Sequence, residues 1–483
     1  MPLGYVAQHT LTTSPSEAWE LLVRPRIGSL LLNTVGLTVA CMTTSAVLGV
    51  TLAVLVERTD LPFRRVWHAL LVAPLAVPAF VNSYAWVSLG RVSGFWAALL
   101  VITLSYYPLV YLPVVAVLRG LDPGLEESAW SMGVGRTRTF FRVVAPQLLP
   151  GLLGGVLLVG LHLLAEFGAL QLLRFPTFTT AIYDQYGSTF NGTAAAMMAS
   201  VLVLLCLVLL LGELRLRGHR RLVRLGQGVR RPPARAGLGA WRWPTTAATA
   251  GLVALAVGVP LYALAHWFAV GSSAELPVAE IVRATATTLL LAALGASATT
   301  VLALPVAWLA VRHRGPWSTL VERSTYLGNA LPGIVVALAL VTVSLTVAPG
   351  LYQTALLLVA AYAVLFLPRA VVSLRAGLEQ APPVLEEVAE SLGVGRWGRF
   401  CRVVVPMAAP SVGAGTALVF LAISTELTAT LMLAPIGTST LATEFWSASS
   451  DLRYGAAAPY AMLLVLVSVP ATLLLVRQEK LPS

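Results

Sequence analysis

LEESAWSMGVGRTRTFFRVVAPQLLP, residues Leu125–Pro150, returns 260 positions later as LEEVAESLGVGRWGRFCRVVVPMAAP, residues Leu385–Pro410. Both copies are charged and rich in helix-forming residues, and each lies between long apolar runs. Keeping two copies of a polar segment in such an apolar chain indicates two equivalent places where a partner docks. The repeat therefore predicts a protein of two similar halves.

The composition predicts an all-α integral membrane protein, a polytopic helical bundle. Hydrophobic residues make up 57% of the chain and charged residues only 11%. Many apolar stretches reach the roughly 20 residues that cross a bilayer, and without water to satisfy the backbone they must be helical. The three cysteines, Cys41, Cys206 and Cys401, have no spacing typical of a disulfide framework or a metal site.

The net charge of +11 is concentrated in a few places. Because basic loops face the cytoplasm, these clusters give the orientation of the chain and argue against nucleic acid as a partner. The largest cluster also suggests contact with anionic membrane lipid. It comprises Arg215, Arg217, Arg220, Arg221, Arg224, Arg230, Arg231, Arg235 and Arg242.

Hydropathy predicts eleven spans, and the copies at Leu125 and Leu385 are separated by six of them. An even number places both copies on one face, here the cytoplasmic face, and makes the halves parallel repeats. The predicted spans are 28–56, 66–90, 94–118, 143–171, 193–213, 244–270, 282–311, 324–346, 351–375, 403–431 and 457–476.

The repeat divides the chain into three parts. Residues 1–213 form a first half of five spans, residues 214–243 a basic cytoplasmic linker, and residues 244–483 a second half of six spans. Span 244–270 has no counterpart in the first half, so we expect a twelve-span chain that lacks one N-terminal helix. Alternatively, residues 1–27 are a genuine periplasmic lead-in; they do not resemble a signal peptide.

Each copy of the repeated segment predicts a short cytoplasmic helix, within about 122–140 and 382–400. Asp122 and Pro123 form a helix start, and carboxylates in the first turn suit the helix dipole. Glycines after the last turn are typical of a helix end. The pattern also places Leu125, Ala129 and Met132 on one apolar face. The residues shared by the copies include Glu126, Glu127, Ala129, Gly133 and Gly135, and then Glu386, Glu387, Ala389, Gly393 and Gly395.

A single amphipathic helix lying on the membrane would explain one copy. Such a helix, however, requires neither the glycines that follow its last turn nor a second copy elsewhere in the chain. The segment resembles the cytoplasmic loop of binding-protein-dependent ABC importer permeases, Glu-Ala-Ala, three residues, Gly, nine residues, Ile-x-Leu-Pro. The matching residues are Glu127, Ala129, Gly133, Val143 and Pro146, and Glu387, Ala389, Gly393, Val403 and Pro406. The departures are Ser128 and Val388 for the middle alanine, and Ala145 and Val405 for the leucine.

The resemblance implies that each loop is a coupling helix that docks on an ATP-hydrolysing subunit. The stretches Ala165–Tyr183 and Ser424–Trp446 and the segment Leu331–Leu340 are similar to those of fused ferric-iron permeases. Permeases for thiamine, sulfate, molybdate or polyamines are built alike and remain alternatives. The family also implies two ATPase subunits, a periplasmic or extracellular solute-binding protein, and a multi-pass location in the bacterial inner membrane.

The chain carries no phosphate-binding loop of the Walker type, which needs a lysine followed by Ser or Thr. Its one lysine, Lys480, is followed by Leu481. We therefore expect a transport subunit that is not itself an enzyme and binds no cofactor, with ATP and Mg²⁺ used by a partner. The competing hypothesis is a proton-driven secondary carrier of about twelve spans.

Glu166 and Glu426 repeat the same 260-residue offset, each late in the span that follows a coupling segment. A charge in the bilayer is costly, so such residues often mark a transport path. One interpretation is a pair of acids near the outer edge that guide a cation. The other is a carboxylate that caps a neighbouring helix or pairs with an arginine.

Overall fold

The computed structural model describes residues 24–187, 192–217, 235–271, 277–312, 331–379 and 383–478, with isolated residues between 315 and 328. Every long regular element in these ranges is a helix. The polytopic all-α fold is therefore confirmed. Residues 1–23, most of the linker and Lys480 lie outside the described residues. Of the predicted lead-in, residues 1–27, only residues 24–27 are described, and the first helix already begins at Pro25.

The first half begins with the 34-residue helix α1 (Pro25–Arg58) and continues through α2 (Arg64–Val72), α3 (Ala79–Gly90), α4 (Gly94–Tyr106) and α5 (Pro108–Gly120). The coupling segment forms α6 (Pro123–Ser131) and α7 (Arg136–Thr139). Then come α8 (Ala145–Ala165), α9 (Gly168–Leu172), α10 (Phe178–Gly187) and α11 (Gly192–Arg217).

After the linker, α12 (Arg242–Val253) and α13 (Val259–Gly271) flank a π-helical turn at Ala254–Gly258. The second half then repeats the order with α14 (Val278–Arg312), α15 (Gly333–Val347), α16 (Ala355–Glu379), α17 (Pro383–Ser391) and α18 (Arg396–Arg399). It ends with α19 (Val405–Ser424), α20 (Thr428–Leu433), α21 (Leu441–Ser450) and α22 (Tyr454–Gln478).

Within the described residues, nine helices are long and apolar enough to cross a membrane, and one bent pair makes a tenth. The shorter apolar helix Gly333–Val347 falls in the predicted eighth span. An apolar helix therefore lies in each of the eleven predicted spans, although the helix in the eighth is shorter than a full span.

The predicted span 66–90 is broken rather than straight. The two parts, Arg64–Ala76 and Ala79–Gly90, meet at an angle of 89°. Val77 is extended because it precedes Pro78, whose ring disfavours helical geometry in the residue before it. In the second half, Pro332 stands directly before α15 in the same way.

The predicted spans 143–171 and 403–431 end earlier than expected, at Ala165 and Ser424. At Glu166 the chain becomes extended, with φ −75° and ψ 122°. Hydrogen bonds from Thr179 to the Glu166 carbonyl and from Ala169 to its carboxylate replace those of a continued helix.

The described chain divides into two compact units. The first is centred on Trp19–Asp184 and includes Leu204–Val270; the second is centred on Gly271–Val467 and includes Gln185–Val203. Ala256, from the span at the start of the predicted second half, is buried in the hydrophobic core of the first unit. Each compact unit therefore includes a segment from the half of the sequence that makes up most of the other unit. The division at residues 213 and 244, which describes the repeated sequence, stays a prediction.

The same long-range hydrogen bond occurs inside each unit. In the first, the backbone N–H of Phe178 donates to Thr34 Oγ1 at 3.2 Å. In the second, the N–H of Leu441 donates to Thr288 Oγ1 at 2.8 Å. The repeat thus extends beyond the coupling segments to the packing of the first helix in each half.

Candidate functional site

The first coupling helix, α6, begins where the sequence predicts. The Asp122 side chain accepts a hydrogen bond from the N–H of Gly124 at 3.0 Å, and Pro123 occupies the first helical position. Both features satisfy or remove N–H groups that a helix start leaves unpaired. Glu126 follows in the first turn, where the helix dipole favours a carboxylate.

The end of α6 is a Schellman motif. The N–H of Gly133 donates to the Trp130 carbonyl at 2.9 Å, and the N–H of Val134 donates to the Ala129 carbonyl at 3.0 Å. Gly133 has φ +80°, in the left-handed region that favours glycine. Gly135 has an ordinary extended backbone, with φ −62° and ψ 152°. Only the first of the two predicted glycines is therefore required by geometry.

The second coupling helix, α17, ends in the same way. The N–H of Gly393 donates to Glu390, and that of Val394 donates to Ala389 at 3.0 Å. Gly393 again has φ +80°, whereas Gly395 has φ −62°. Each coupling helix therefore ends in a defined backbone turn.

The two adjacent glutamates of each coupling helix have different surroundings. Glu126 forms a 2.6 Å ion pair with Arg58 at the end of α1, and both side chains are largely buried. Glu386 forms the equivalent 2.5 Å pair with Arg312 at the end of α14. Glu127 and Glu387 are exposed. One glutamate therefore holds the coupling helix to its own unit, and the next is free to contact a partner.

The predicted apolar face of the coupling helix divides in two. Ala129 and Ala389 are buried, with 4% and 8% of their surface exposed, and pack towards their own unit. Met132 and Leu392 lie three residues later but are 75% and 76% exposed. The outward surface of each helix thus combines a large apolar side chain with the exposed glutamate. Such a surface suits docking on another protein.

A π-helical turn joins each coupling segment to the next span. These turns are Phe140–Val144 and Phe400–Val404, again 260 residues apart. Single π-helical turns inside α-helices often occur at functional sites. Each turn carries one arginine, Arg142 or Arg402, at the membrane end of the coupling segment.

Glu166 combines helix capping with a side-chain hydrogen bond. Its Oε1 accepts the N–H of Ala169 at 3.0 Å, at the start of α9, and its Oε2 accepts the hydroxyl of Tyr106 at 2.6 Å. The Thr179 hydroxyl donates to the Glu166 carbonyl at 2.7 Å. Helix capping, one of the two interpretations of this residue from the sequence, is therefore present. The other interpretation, that Glu166 guides a cation, stays a prediction.

Glu426 caps α20 in the same manner, accepting the N–H of Ala429 at 3.0 Å. The Thr430 hydroxyl donates to the Glu426 carbonyl at 2.7 Å, and Tyr362 is bonded to Thr430 instead of the glutamate. The positive charge of Arg369 acts favourably on Glu426. The two carboxylates thus share one capping role but have different electrostatic partners.

Possible metal ligands are scattered. Within the described ranges, no three His, Cys, Asp or Glu side chains come together in a group that could hold a metal ion. Asp184, close to Glu166 in sequence, lies in the short helix α10; burial raises the pKa of its carboxyl, and nearby Arg26 opposes that shift.

Sequence reasoning did not find Arg58 and Arg312, the partners of the coupling helices. A signal existed, because each is the first basic residue after a predicted span, 28–56 or 282–311, and the two lie 254 positions apart. Tyr106, which bonds Glu166 from 60 residues away, had no such signal.

Comparison with known proteins matches this arrangement to one protein family. The model of the family "Binding-protein-dependent transport system inner membrane component" matches twice, at residues 45–215 and 299–481. Each match contains one coupling helix together with the helix that follows it.

Three relatives extend the comparison. The chain is 39% identical over 480 residues to the Fe(3+)-transport system permease protein FbpB 2 of Haemophilus influenzae, covering 98% of this chain and 95% of the relative. The sulfate transport system permease protein CysT of Escherichia coli is 32% identical over 46% of this chain and 89% of its own length. The molybdenum transport system permease protein ModB of Escherichia coli is 29% identical over 34% of this chain and 81% of its own length.

Proposed function

Because the chain belongs to the family of inner membrane components of binding-protein-dependent transport systems, we propose that it is the fused permease of an ATP-driven ferric-iron importer. It is a multi-pass inner membrane protein and a transport subunit, with ATP hydrolysis carried out by a separate subunit. Fe³⁺ is the transported substrate.

The observation that carries the proposal is the duplicated coupling helix. Each copy is fixed to its own unit by a largely buried ion pair and presents an exposed glutamate beside an exposed apolar side chain. Two such surfaces suit two ATPase subunits, one on each helix. ATP binding would move the coupling helices, and the halves would then open the path towards the solute-binding protein.

Iron is the best-supported substrate because of how much of the chain the iron permease covers. That relative matches 98% of this chain, including both halves, whereas the sulfate and molybdenum relatives match 46% and 34%.

Reconstitution tests the proposed transport. The chain is placed in proteoliposomes with its ATPase and solute-binding protein, and uptake of radioactive Fe³⁺ is measured with sulfate and molybdate as matched alternatives. We expect iron uptake that needs ATP and both partners. Uptake that continues without ATP and stops when a proton gradient is collapsed would instead identify a secondary carrier.

The coupling helices can be tested separately from the substrate. We expect Glu127→Arg with Glu387→Arg to weaken association with the ATPase, because both carboxylates lie on the outward surface. The thermal midpoint of the permease should not change, since exposed substitutions usually have small effects on stability. Undiminished ATPase association in a pull-down would contradict the assignment.

A further inference from the structure

The end of the linker is attached to the first cytoplasmic loop by backbone hydrogen bonds. The N–H of Ala236 donates to the Arg58 carbonyl at 2.8 Å, and the N–H of Asp60 donates to the Ala236 carbonyl at 3.2 Å. The Asp60 carboxylate also accepts the N–H of Leu238 at 2.8 Å. Arg235 is therefore held next to the loop that starts α2.

An open cavity of about 570 Å³ lies where the linker meets this loop. Three arginines line it, two from α2 and one from the linker: Arg64, Arg65 and Arg235. Apolar atoms of Leu61, Phe63 and Val66 line the rest, together with Thr59 and Asp60. Phe63 is 73% exposed.

The positive charges around the cavity are not balanced. Arg65, Arg235 and Arg119 all repel the charge on Arg64, whereas Glu57 attracts it. Glu57 itself forms a 2.6 Å ion pair with Arg119. Across the described ranges, the lining arginines form no ion pair, and the one carboxylate in the lining, Asp60, accepts the Leu238 N–H. The lining therefore carries an excess of positive charge.

The neighbouring residues place the cavity at the level of lipid headgroups. It lies beside the end of span Pro25–Arg58 and just before span Gly239–Gly271. Trp241 and Trp243, at the start of the latter, are 71% and 69% exposed, as tryptophans of a membrane interface are. The basic linker assigns this end of both spans to the cytoplasmic leaflet, whose anionic lipids attract such clusters.

We propose that Arg64, Arg65 and Arg235 form a binding site for the phosphate of an anionic phospholipid. The phosphate accepts hydrogen bonds from the guanidinium groups, and the acyl chains extend past the exposed Phe63 and Val66. Since Arg235 belongs to the linker and Arg64 and Arg65 to α2, one headgroup bridges the two segments beside Arg58. A free phosphate ion can accept the same hydrogen bonds from the arginines, but it has no apolar part that could contact the apolar lining.

Native mass spectrometry of the delipidated full-length permease tests this site with phosphatidylglycerol, phosphatidylcholine and inorganic phosphate as probes. We expect selective retention of phosphatidylglycerol, and at least a tenfold loss of that retention when Arg64, Arg65 and Arg235 are all changed to Gln. Changing the same three residues to Lys keeps the charge and should restore a large part of the binding. Gel filtration and thermal unfolding check that each variant is folded, and single substitutions replace the triple variant if it is not.

The matched control is Arg26→Gln, Arg91→Gln and Arg174→Gln, which removes the same charge from segments that the topology assigns to the opposite face. This variant should retain phosphatidylglycerol as the unchanged protein does. Equal losses in the two triple variants would overturn the proposal, because binding would then follow net charge alone. Displacement of the lipid by millimolar phosphate would also overturn it and assign the site to a free anion.

Discussion

Gly133 and Gly393 occupy the one backbone position of each coupling helix that a side chain strains. Both have φ +80°, and the space around a Cβ at either position is open. The requirement for glycine is therefore conformational and not steric. Gly135 and Gly395, two residues later, also face open space but have φ near −62°. The chain thus provides its own control for each glycine.

We expect Gly133→Ala and Gly393→Ala to weaken ATPase binding, whereas Gly135→Ala and Gly395→Ala leave it unchanged. A non-glycine residue in the left-handed region costs about 1–2 kcal/mol, which disfavours the turn that orients the helix end. This corresponds to a roughly tenfold loss of affinity if the strain falls on the docked state. Titration of the ATPase subunit onto the reconstituted permease measures it. Equal affinities in the two pairs of variants would contradict this role of the turn.

Some of these residue roles could be predicted from the sequence and others could not. Asp122, Pro123 and the glycine exit are local signals, and the structure uses all of them. Whether Glu126 or Glu127 faces the protein depends on a partner 68 residues earlier, Arg58. Sequence alone gives two adjacent carboxylates in one turn, and no local property distinguishes them.

Each coupling helix is joined to the end of the first helix in its own half. In the first half, the ion pair between Arg58 and Glu126 leaves only 9% and 13% of the two side chains exposed. The remaining nitrogens of Arg58, Nε and Nη2, are also buried. Removing one partner of such a pair leaves an uncompensated buried charge, which is typically destabilising by about 3–5 kcal/mol.

We expect Glu126→Ala and Arg58→Ala each to lower the thermal midpoint of the permease and reduce the iron transported per ATP hydrolysed. The double substitution should cost less than the sum of the two, because the second change removes the unpaired charge left by the first. Glu127→Ala is the matched control, since its side chain is exposed. Additive losses in the double-mutant cycle would show that the pair does not act as a unit.

Glycines allow two helices to pack closely in each half. A Cβ on Gly155 of α8 would lie 2.7 Å from Val110 Cα and 2.8 Å from the Leu109 carbonyl of α5. A Cβ on Gly415 of α19 would lie 2.5 Å from Ser373 Cβ of α16. Each of the two contacts lies within its own compact unit.

We expect Gly155→Ala to destabilise the permease by about 1–3 kcal/mol, the usual range for overpacking, because backbone atoms cannot move aside as a side chain can. Gly154→Ala on the same helix meets nothing within 4 Å and should be neutral or slightly stabilising. Thermal unfolding in detergent compares the two. A lower midpoint for Gly154→Ala than for Gly155→Ala would contradict the packing assignment.

Element boundaries were less predictable than element order. Apolar runs predicted the number of spans, because burial in lipid is set by composition. The 89° break at Val77–Pro78 and the end of α8 at Ala165 were missed. The first depends on how far a proline bends a helix in its tertiary setting, and the second on hydrogen bonds from Tyr106 and Thr179 to Glu166.

At the scale of the whole molecule, the repeat and the compact units divide the chain differently. The sequence repeats along the chain, whereas residues Leu204–Val270 belong to the first unit and Gln185–Val203 to the second. Helix α11 therefore contributes to both units. Separate expression of residues 1–213 and 244–483 would split each unit, so we expect neither piece to show a cooperative thermal transition on its own.

Glu166 and Glu426 also concern the whole molecule, because each half of the chain carries one of these two carboxylates. Each caps a short helix by accepting one backbone N–H at 3.0 Å. A neutral Ser, Thr or Asn caps a helix equally well. A carboxylate in or near the bilayer is more costly, so capping alone does not account for the charge. This supports the proposal that both residues contribute negative charge to the path of a cation.

We expect Glu166→Gln with Glu426→Gln to lower the initial rate of Fe³⁺ uptake severalfold while the thermal midpoint changes little. Glutamine keeps an oxygen that can accept the N–H of Ala169 or Ala429, but it removes the charge. Glu166→Ala with Glu426→Ala is the matched comparison and should lower both uptake and stability, since it also removes the caps. Uptake by the glutamine variant at the unchanged rate, in a complex that still hydrolyses ATP, would restrict both glutamates to helix capping.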